Sequence, residues 1–354
     1  MPALLKRLFK KPRIETYGLD HAVLNIQLPP QTMWMNMGYW ESTSDFPEAC
    51  QALLHQVLSA GLLQSNSQCL RVLDVGCGCG DQSLYLTSLH RNGSSSTEES
   101  ASSSALEASP AFSTPQARLQ HAHPHPLLID TYIGITLEPT QAGLAKSRVQ
   151  DARRKQNQTQ PQTHTQNNNG LDLSPAKIFC ADAANPATWL GDLQTSISDL
   201  ANTAQQPSTE TWLLALDTMY HFRPSRRPIL QFAHDTLHAS YMGFDLILAD
   251  NVSWWQLFLL RIICWALGAP FANFLTKDQY KLLLRDVGYR ASEIKMTDVS
   301  AHVFDGLAGF LGRRVGEAEP FGLRVGKYRG ARLVFDWWAR SGIVRGYVVV
   351  ARRS

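Results

Sequence analysis

Residues Arg71 to Gln82 read RVLDVGCGCGDQ, an apolar run broken by one acid and followed by glycines at positions 76, 78 and 80. Glycine at alternate positions frees the backbone for turns and removes side chains from whatever approaches it. The unbroken run Cys69–Val75 predicts a strand buried on both faces. Leu84, Leu86 and Leu89 give helical spacing over Gln82–Leu89, so the glycines occupy a strand-to-helix turn. In open α/β sheets ligands bind beyond the carboxyl ends of the strands, at turns of this kind. A dinucleotide fingerprint would place its last glycine at position 81. That position is Asp81, whose carboxylate opposes a pyrophosphate at a helix N-terminus, so a nicotinamide or flavin cofactor fits poorly. Asp74 instead suits a ligand with hydrogen-bond donors or positive charge, such as an amino-acid moiety.

Outward from this turn, strands and helices alternate. Leu127–Leu137 predicts a second strand, followed by a helix over Thr140–Ala152. Ala176–Cys180, Thr211–Leu216 and Gly243–Ala249 supply three more strands, with a helix over Arg226–Leu237 between the last two. Thr276 is placed to cap a helix that Gly288 ends, after which Arg290–Thr297 and Gly346–Arg352 predict two final strands. The order implies an α/β fold: a mostly parallel sheet with helices on both faces.

Three polar tracts interrupt the pattern, at about 92–126, 154–175 and 194–211, and all read as surface insertions. The first two are too poor in apolar groups to offset their ordering entropy. His121, His123 and His125 alternate in the first tract, and no metal is assigned to them; Cys77 and Cys79 lack a second ligand pair at zinc spacing. The domain map is therefore an N-terminal extension, 1–30, and one domain, 31–354. The formal charge of +3 shows no basic stripe, which argues against a nucleic-acid partner and for a small molecule. Six scattered cysteines with no secretory signal at the start predict reduced thiols and a cytoplasmic protein.

VLDVGCGCGD resembles the first motif of class I S-adenosylmethionine-dependent methyltransferases, and matches it at Asp74, Gly76, Gly78 and Gly80. YIGITLEPTQAGLAKSRV, IFCADAANP and ALDTMYHFRPSRRPILQFA follow in the family's order at the second, third and fourth strands. The resemblance implies a Rossmann-like seven-stranded sheet ending in an antiparallel hairpin, with S-adenosylmethionine as cofactor. It further implies that Asp74 and the three glycines enclose the methionine part, that Asp182 and Ala183 flank the adenine, and that Asp217 adjoins the cofactor. Where many members have an acid for the ribose, this chain has Thr136. Thr136 with Gln141 is the expected ribose pair, as in the branch resembling sterol, tocopherol and cyclopropane-fatty-acid methyltransferases; Glu138 is the competitor.

At the rim of the fourth strand stand Tyr220 and His221. Methyl transfer to a hydroxyl or amine needs alignment and a proton acceptor, for which His221 is the first candidate and Asp250, after the fifth strand, the second. Tyr39 and Trp40, upstream of the Phe46–Leu63 helix, are expected to cover the sulfonium. Trp254 and Trp255 open an apolar segment, Trp254–Leu275, in which Arg261 and Pro270 disfavour a membrane span. This segment is expected to wall an apolar pocket or touch a bilayer; the basic amphipathic start, MPALLKRLFKKPR, reads equally as a membrane-surface segment assisting it, a mitochondrial presequence or a fraying end. The expected activity is methyl transfer to a hydrophobic small molecule or lipid. The alternative is a methyltransferase-like binding or partner protein without chemistry, and neither acceptor nor oligomeric state follows from the residues.

Overall fold

The computed structural model describes residues 27–62, 69–92, 128–159, 176–202 and 209–353. In chain order the strands are β1 (Cys69–Val75), β2 (Leu128–Thr136), β3 (Lys177–Cys180), β4 (Thr209–Leu216), β5 (Ser240–Leu248), β6 (Ile294–Asp298) and β7 (Val344–Ala351). The helices are α1 (Phe46–Leu62), α2 (Asp81–Asn92), α3 (Pro139–Thr159), α4 (Gly191–Asn202), α5 (Arg227–Asp235), α6 (Trp254–Leu267), α7 (Lys277–Val287), α8 (Phe304–Ala318) and α9 (Gly326–Ser341).

The seven strands form one sheet in the order β3-β2-β1-β4-β5-β7-β6. Its alternate residues feed two cores. Val72, Trp212, Leu214 and Val348 face the side covered by α1, α6 and α8, while Leu73, Leu213, Ala215 and Val349 face α4, α5 and α7. Burial on both faces explains why the central strands read as unbroken apolar runs. Reversal of the strand order beside β1 and β4 opens a crevice at their carboxyl ends.

Two expectations change. The tract 194–211 is not one surface loop: α4 runs through Asn202, burying Leu193, Ile197 and Leu200 at helical spacing, and Thr209–Thr211 begin β4. Polar composition concealed an amphipathic helix whose narrow apolar face suffices for docking. In the second tract, residues 154–159 continue α3, and 160–175 lie outside the described residues. The first tract beyond Asn92 and the extension 1–26 also lie outside them. The expected antiparallel C-terminal hairpin is present: β7 lies between β5 and β6 and runs antiparallel to both. The connection between β6 and β7, for which the sequence pattern names no element, is the mutually packed pair α8 and α9.

Candidate active site

A cleft of about 590 Å³ opens at the carboxyl ends of β1, β2 and β4. Gly76 to Cys79 form its floor, Thr136 to Glu138 with Gln141 one wall, Asp182 and Ala183 one end, and Asp217, Thr218 and Tyr220 to Arg223 the other. The glycines are there for different reasons. Gly78, at φ +57°, faces the cleft; a Cβ there would meet only Met35 Sδ, at 3.5 Å. Gly76, at φ +93°, sits against Thr218, whose Oγ1 would lie 2.6 Å from a Cβ. Gly80 does not line the cleft: it lets the turn pass 3.0 Å from the Ala145 backbone of α3. Only Gly78 is kept bare by open space in the cleft.

Asp74 also lies behind the wall rather than on it. It is fully buried, and one carboxylate oxygen accepts hydrogen bonds from Gln82 Nε2 (2.8 Å) and the Tyr132 hydroxyl. Burial raises its pKa to about 7. The side chain is turned toward α2 and β2, so it props Gln82, which does line the cleft. The Asp81 carboxylate is neutralised by Arg148, which binds it through two nitrogens at 2.6 and 2.7 Å.

Thr136 Oγ1 donates to Gln141 Oε1 at 2.9 Å, and Glu138 shares their wall. Asp182 Oδ1 accepts from the Ala184 amide at 2.9 Å, which shapes the turn that presents Ala183. Asp217 adopts φ +60°, uncommon for a residue with a side chain. Its Oδ2 accepts from the Met37 amide at 2.8 Å, and the neighbouring Tyr220 hydroxyl hydrogen-bonds to the carboxylate, which favours the charged form. Burial lifts its pKa to about 8. Asp217 lines the cleft beside Thr218 and Tyr220.

Tyr220 and His221 stand at the cleft's other end, their rings 4.2 Å apart. His221 is exposed at the mouth, yet the protein around it still disfavours the charged form and lowers its pKa below 6.5, leaving it neutral at pH 7. Its turn is held from beneath. Buried Asn273 donates from Nδ2 to the Tyr220 and Phe222 carbonyls at 3.1 and 2.7 Å. The Asn273 carbonyl in turn accepts from Arg226, which forms a buried ion pair with Asp245. Tyr280 donates to Asp245 Oδ2 at 3.0 Å. No local signal reveals this network, because its members are scattered from Tyr220 to Tyr280.

Several candidates lie elsewhere. Asp250 is exposed in the turn before α6 and does not line the cleft. Tyr39 and Trp40 pack outward against the α8 side: Tyr39 lies 4.9 Å from the His302 ring, and Trp40 stacks near Phe46 and Phe310. The covering residues are instead Met33 to Asn36, slightly earlier in the same aromatic stretch. Trp254 and Trp255 do not wall the pocket. They are 79% and 51% exposed, on a face of α6 shared with Phe258, Ile262 and Trp265. The other face of α6 docks through Leu260 and Cys264, and only Gly268, just past its end, reaches the cleft. Among the described residues no helix is long and apolar enough to cross a membrane.

No protein-family model matches the chain, and no curated protein matches its sequence. Solved structures do resemble it. A mycolic acid cyclopropane synthase complexed with SAH and CTAB is 13% identical and superposes with a TM-score of 0.53, over 94% of this chain and 95% of that one. A cyclopropane synthase from Mycobacterium tuberculosis is 13% identical over 90% of each chain, with a TM-score of 0.51. A chain described as a sarcosine dimethylglycine methyltransferase, from Galdieria sulphuraria, is 10% identical over 90% of this chain and 92% of that one, at 0.53. The fold is therefore the Rossmann-like fold shared by these proteins, the seven-stranded sheet with its reversed strand near the C-terminus.

Proposed function

We propose that this chain is an enzyme that transfers a methyl group from S-adenosylmethionine to a hydrophobic small-molecule or lipid acceptor. The observation that carries this reading is the single cleft that bare Gly78, the buried Asp217 carboxyl and His221 line together. When bound, S-adenosylmethionine supplies an electrophilic methyl on a sulfonium.

Thr136 and Gln141 offer a hydroxyl and an amide to a ribose. Ala183 offers an apolar surface to an adenine, and Asp217 offers a carboxylate to a cationic group. Tyr220 and Phe222 shape the acceptor end, and neutral His221 takes a proton from a hydroxyl or amine acceptor there. Structures of the same fold include a mycolic acid cyclopropane synthase, which supports a lipid-like acceptor. Peripheral membrane contact through the exposed aromatic face of α6 fits the same acceptor class, since tryptophans favour the bilayer interface.

Calorimetry with S-adenosylmethionine, S-adenosylhomocysteine and NAD tests the cofactor; binding of NAD alone overturns it. Mass spectrometry of a lipid extract incubated with methyl-labelled S-adenosylmethionine then tests the transfer, and saturable cofactor binding with no labelled product would favour a binding protein. Flotation with anionic vesicles at low salt tests the membrane contact, which is refuted if the protein stays wholly unbound.

A further inference from the structure

The segment covering the cleft is pinned at both ends by carboxylates. The Met33 amide donates to Asp81 Oδ2 at 3.0 Å, and the Met37 amide to Asp217 Oδ2 at 2.8 Å. Between these anchors Trp34 is buried, 6.4 Å from the Tyr85 ring, while the Met35 side chain is 60% exposed. Met35 Sδ accepts from Gln141 Nε2 at 3.6 Å and is the atom nearest the empty Cβ position of Gly78. The strap thus lies over the residues that receive the cofactor.

Its first anchor depends on Arg148. One guanidinium nitrogen donates to Asp81 Oδ2 and to the Cys79 carbonyl (2.8 Å), the other to Asp81 Oδ1 and to the Gln31 carbonyl (3.0 Å). The Asp81 and Arg148 side chains are 5% and 16% exposed. A charge-assisted, two-pronged contact in such a setting is strong and directional. A single side chain of α3 therefore joins the glycine turn, the start of α2 and the strap.

We propose that Arg148 is a positioning residue for the cofactor, setting the distance between the strap and the glycine turn and so retaining an adenosyl ligand between them. This rests on the proposed function. Arg148 itself does not line the cleft, so it acts through Asp81, Cys79 and Gln31. Lysine at this position could keep the charge opposite Asp81 but not the planar fork that spans all three partners.

The test combines S-adenosylhomocysteine titration with hydrogen exchange at the Met33 and Met37 amides, in the wild type, Arg148→Lys and Arg148→Ala. Arg148→Ala should exchange the Met33 amide at least about tenfold faster and bind S-adenosylhomocysteine about tenfold more weakly, with β1 and β4 amides still protected. Arg148→Lys should fall between. Wild-type affinity in Arg148→Ala despite faster strap exchange would overturn the proposal, as would an unchanged strap in either variant. Should Arg148→Ala not fold, Arg148→Lys decides alone: wild-type exchange and affinity overturn the proposal. A wild type that binds no S-adenosylhomocysteine would refute the cofactor reading, a result distinct from any difference between variants.

Discussion

Adding one methyl group at each glycine of the first turn should have three different results. At Gly78 the new Cβ meets only Met35 Sδ at 3.5 Å, an ordinary contact, so the folding cost is the left-handed backbone alone, about 1–2 kcal/mol. At about 2–4 °C per kcal/mol for a mid-sized chain, Gly78→Ala should melt roughly 2–8 °C lower, in a single cooperative transition. The same methyl protrudes into the cleft, and losing even about 1.4 kcal/mol of fit weakens S-adenosylhomocysteine binding tenfold. At Gly76 a Cβ would also lie 2.6 Å from Thr218 Oγ1. Overpacking adds about 1–3 kcal/mol there, so Gly76→Ala should lose stability as well as affinity. At Gly80 the clash is with Ala145 of α3, outside the cleft, and destabilisation should exceed any effect on binding at saturating ligand. Differential scanning fluorimetry and calorimetry on the three variants provide both readouts. A cooperatively folded Gly78→Ala that binds S-adenosylhomocysteine within twofold of wild type would refute the assignment of that open space to the ligand.

Three further outcomes follow from the site. Because burial holds Asp217 at about pKa 8, its carboxyl is mostly protonated at pH 7, and a cationic ligand beside it should expel that proton. Calorimetry in buffers of different ionisation enthalpy should show proton release that Asp217→Asn abolishes; the same proton change in both proteins contradicts the contact. His221 acts as a base only when neutral and its pKa lies below 6.5, so turnover should fall only as pH drops beneath that value. His221→Ala should lower kcat by about 10² to 10⁴ and remove that acid limb. Asp245→Ala leaves Arg226 charged, buried and unpaired, and denaturant unfolding should register a loss of about 3–5 kcal/mol, which the apolar pair Arg226→Met with Asp245→Leu largely restores. A loss below about 1 kcal/mol would mean that the network does not hold the His221 turn.

What is local and periodic was determined by the sequence itself. The apolar run ending at Val75, the glycines after it and the strand–helix alternation define the sheet and place the cleft, because a strand buried on both faces and a turn needing positive φ admit few other residues. Thr136 and Gln141 came from the family resemblance, with Glu138 as competitor, and the structure brings their side chains into contact across five positions of a strand end and helix start. The tertiary structure alone decided matters of direction and distance. Asp74 and Gly80 belong to the glycine motif yet point away from the cleft, since neighbours on a strand or turn face opposite ways. Tyr39 and Trp40 yield the covering role to Met33–Asn36 because the segment around α8, invisible in the sequence pattern, seats the Trp40 ring at Phe310 and Gly306 and the Tyr39 ring at His302. Trp254 and Trp255 are aromatic enough for a pocket, but α6 already docks through Leu260 and Cys264 and turns them to solvent. Arg148 reaches Asp81 across 67 positions and Asn273 reaches Tyr220 across 53; pairings between such distant residues are set by packing of the whole sheet and leave no periodicity in the chain.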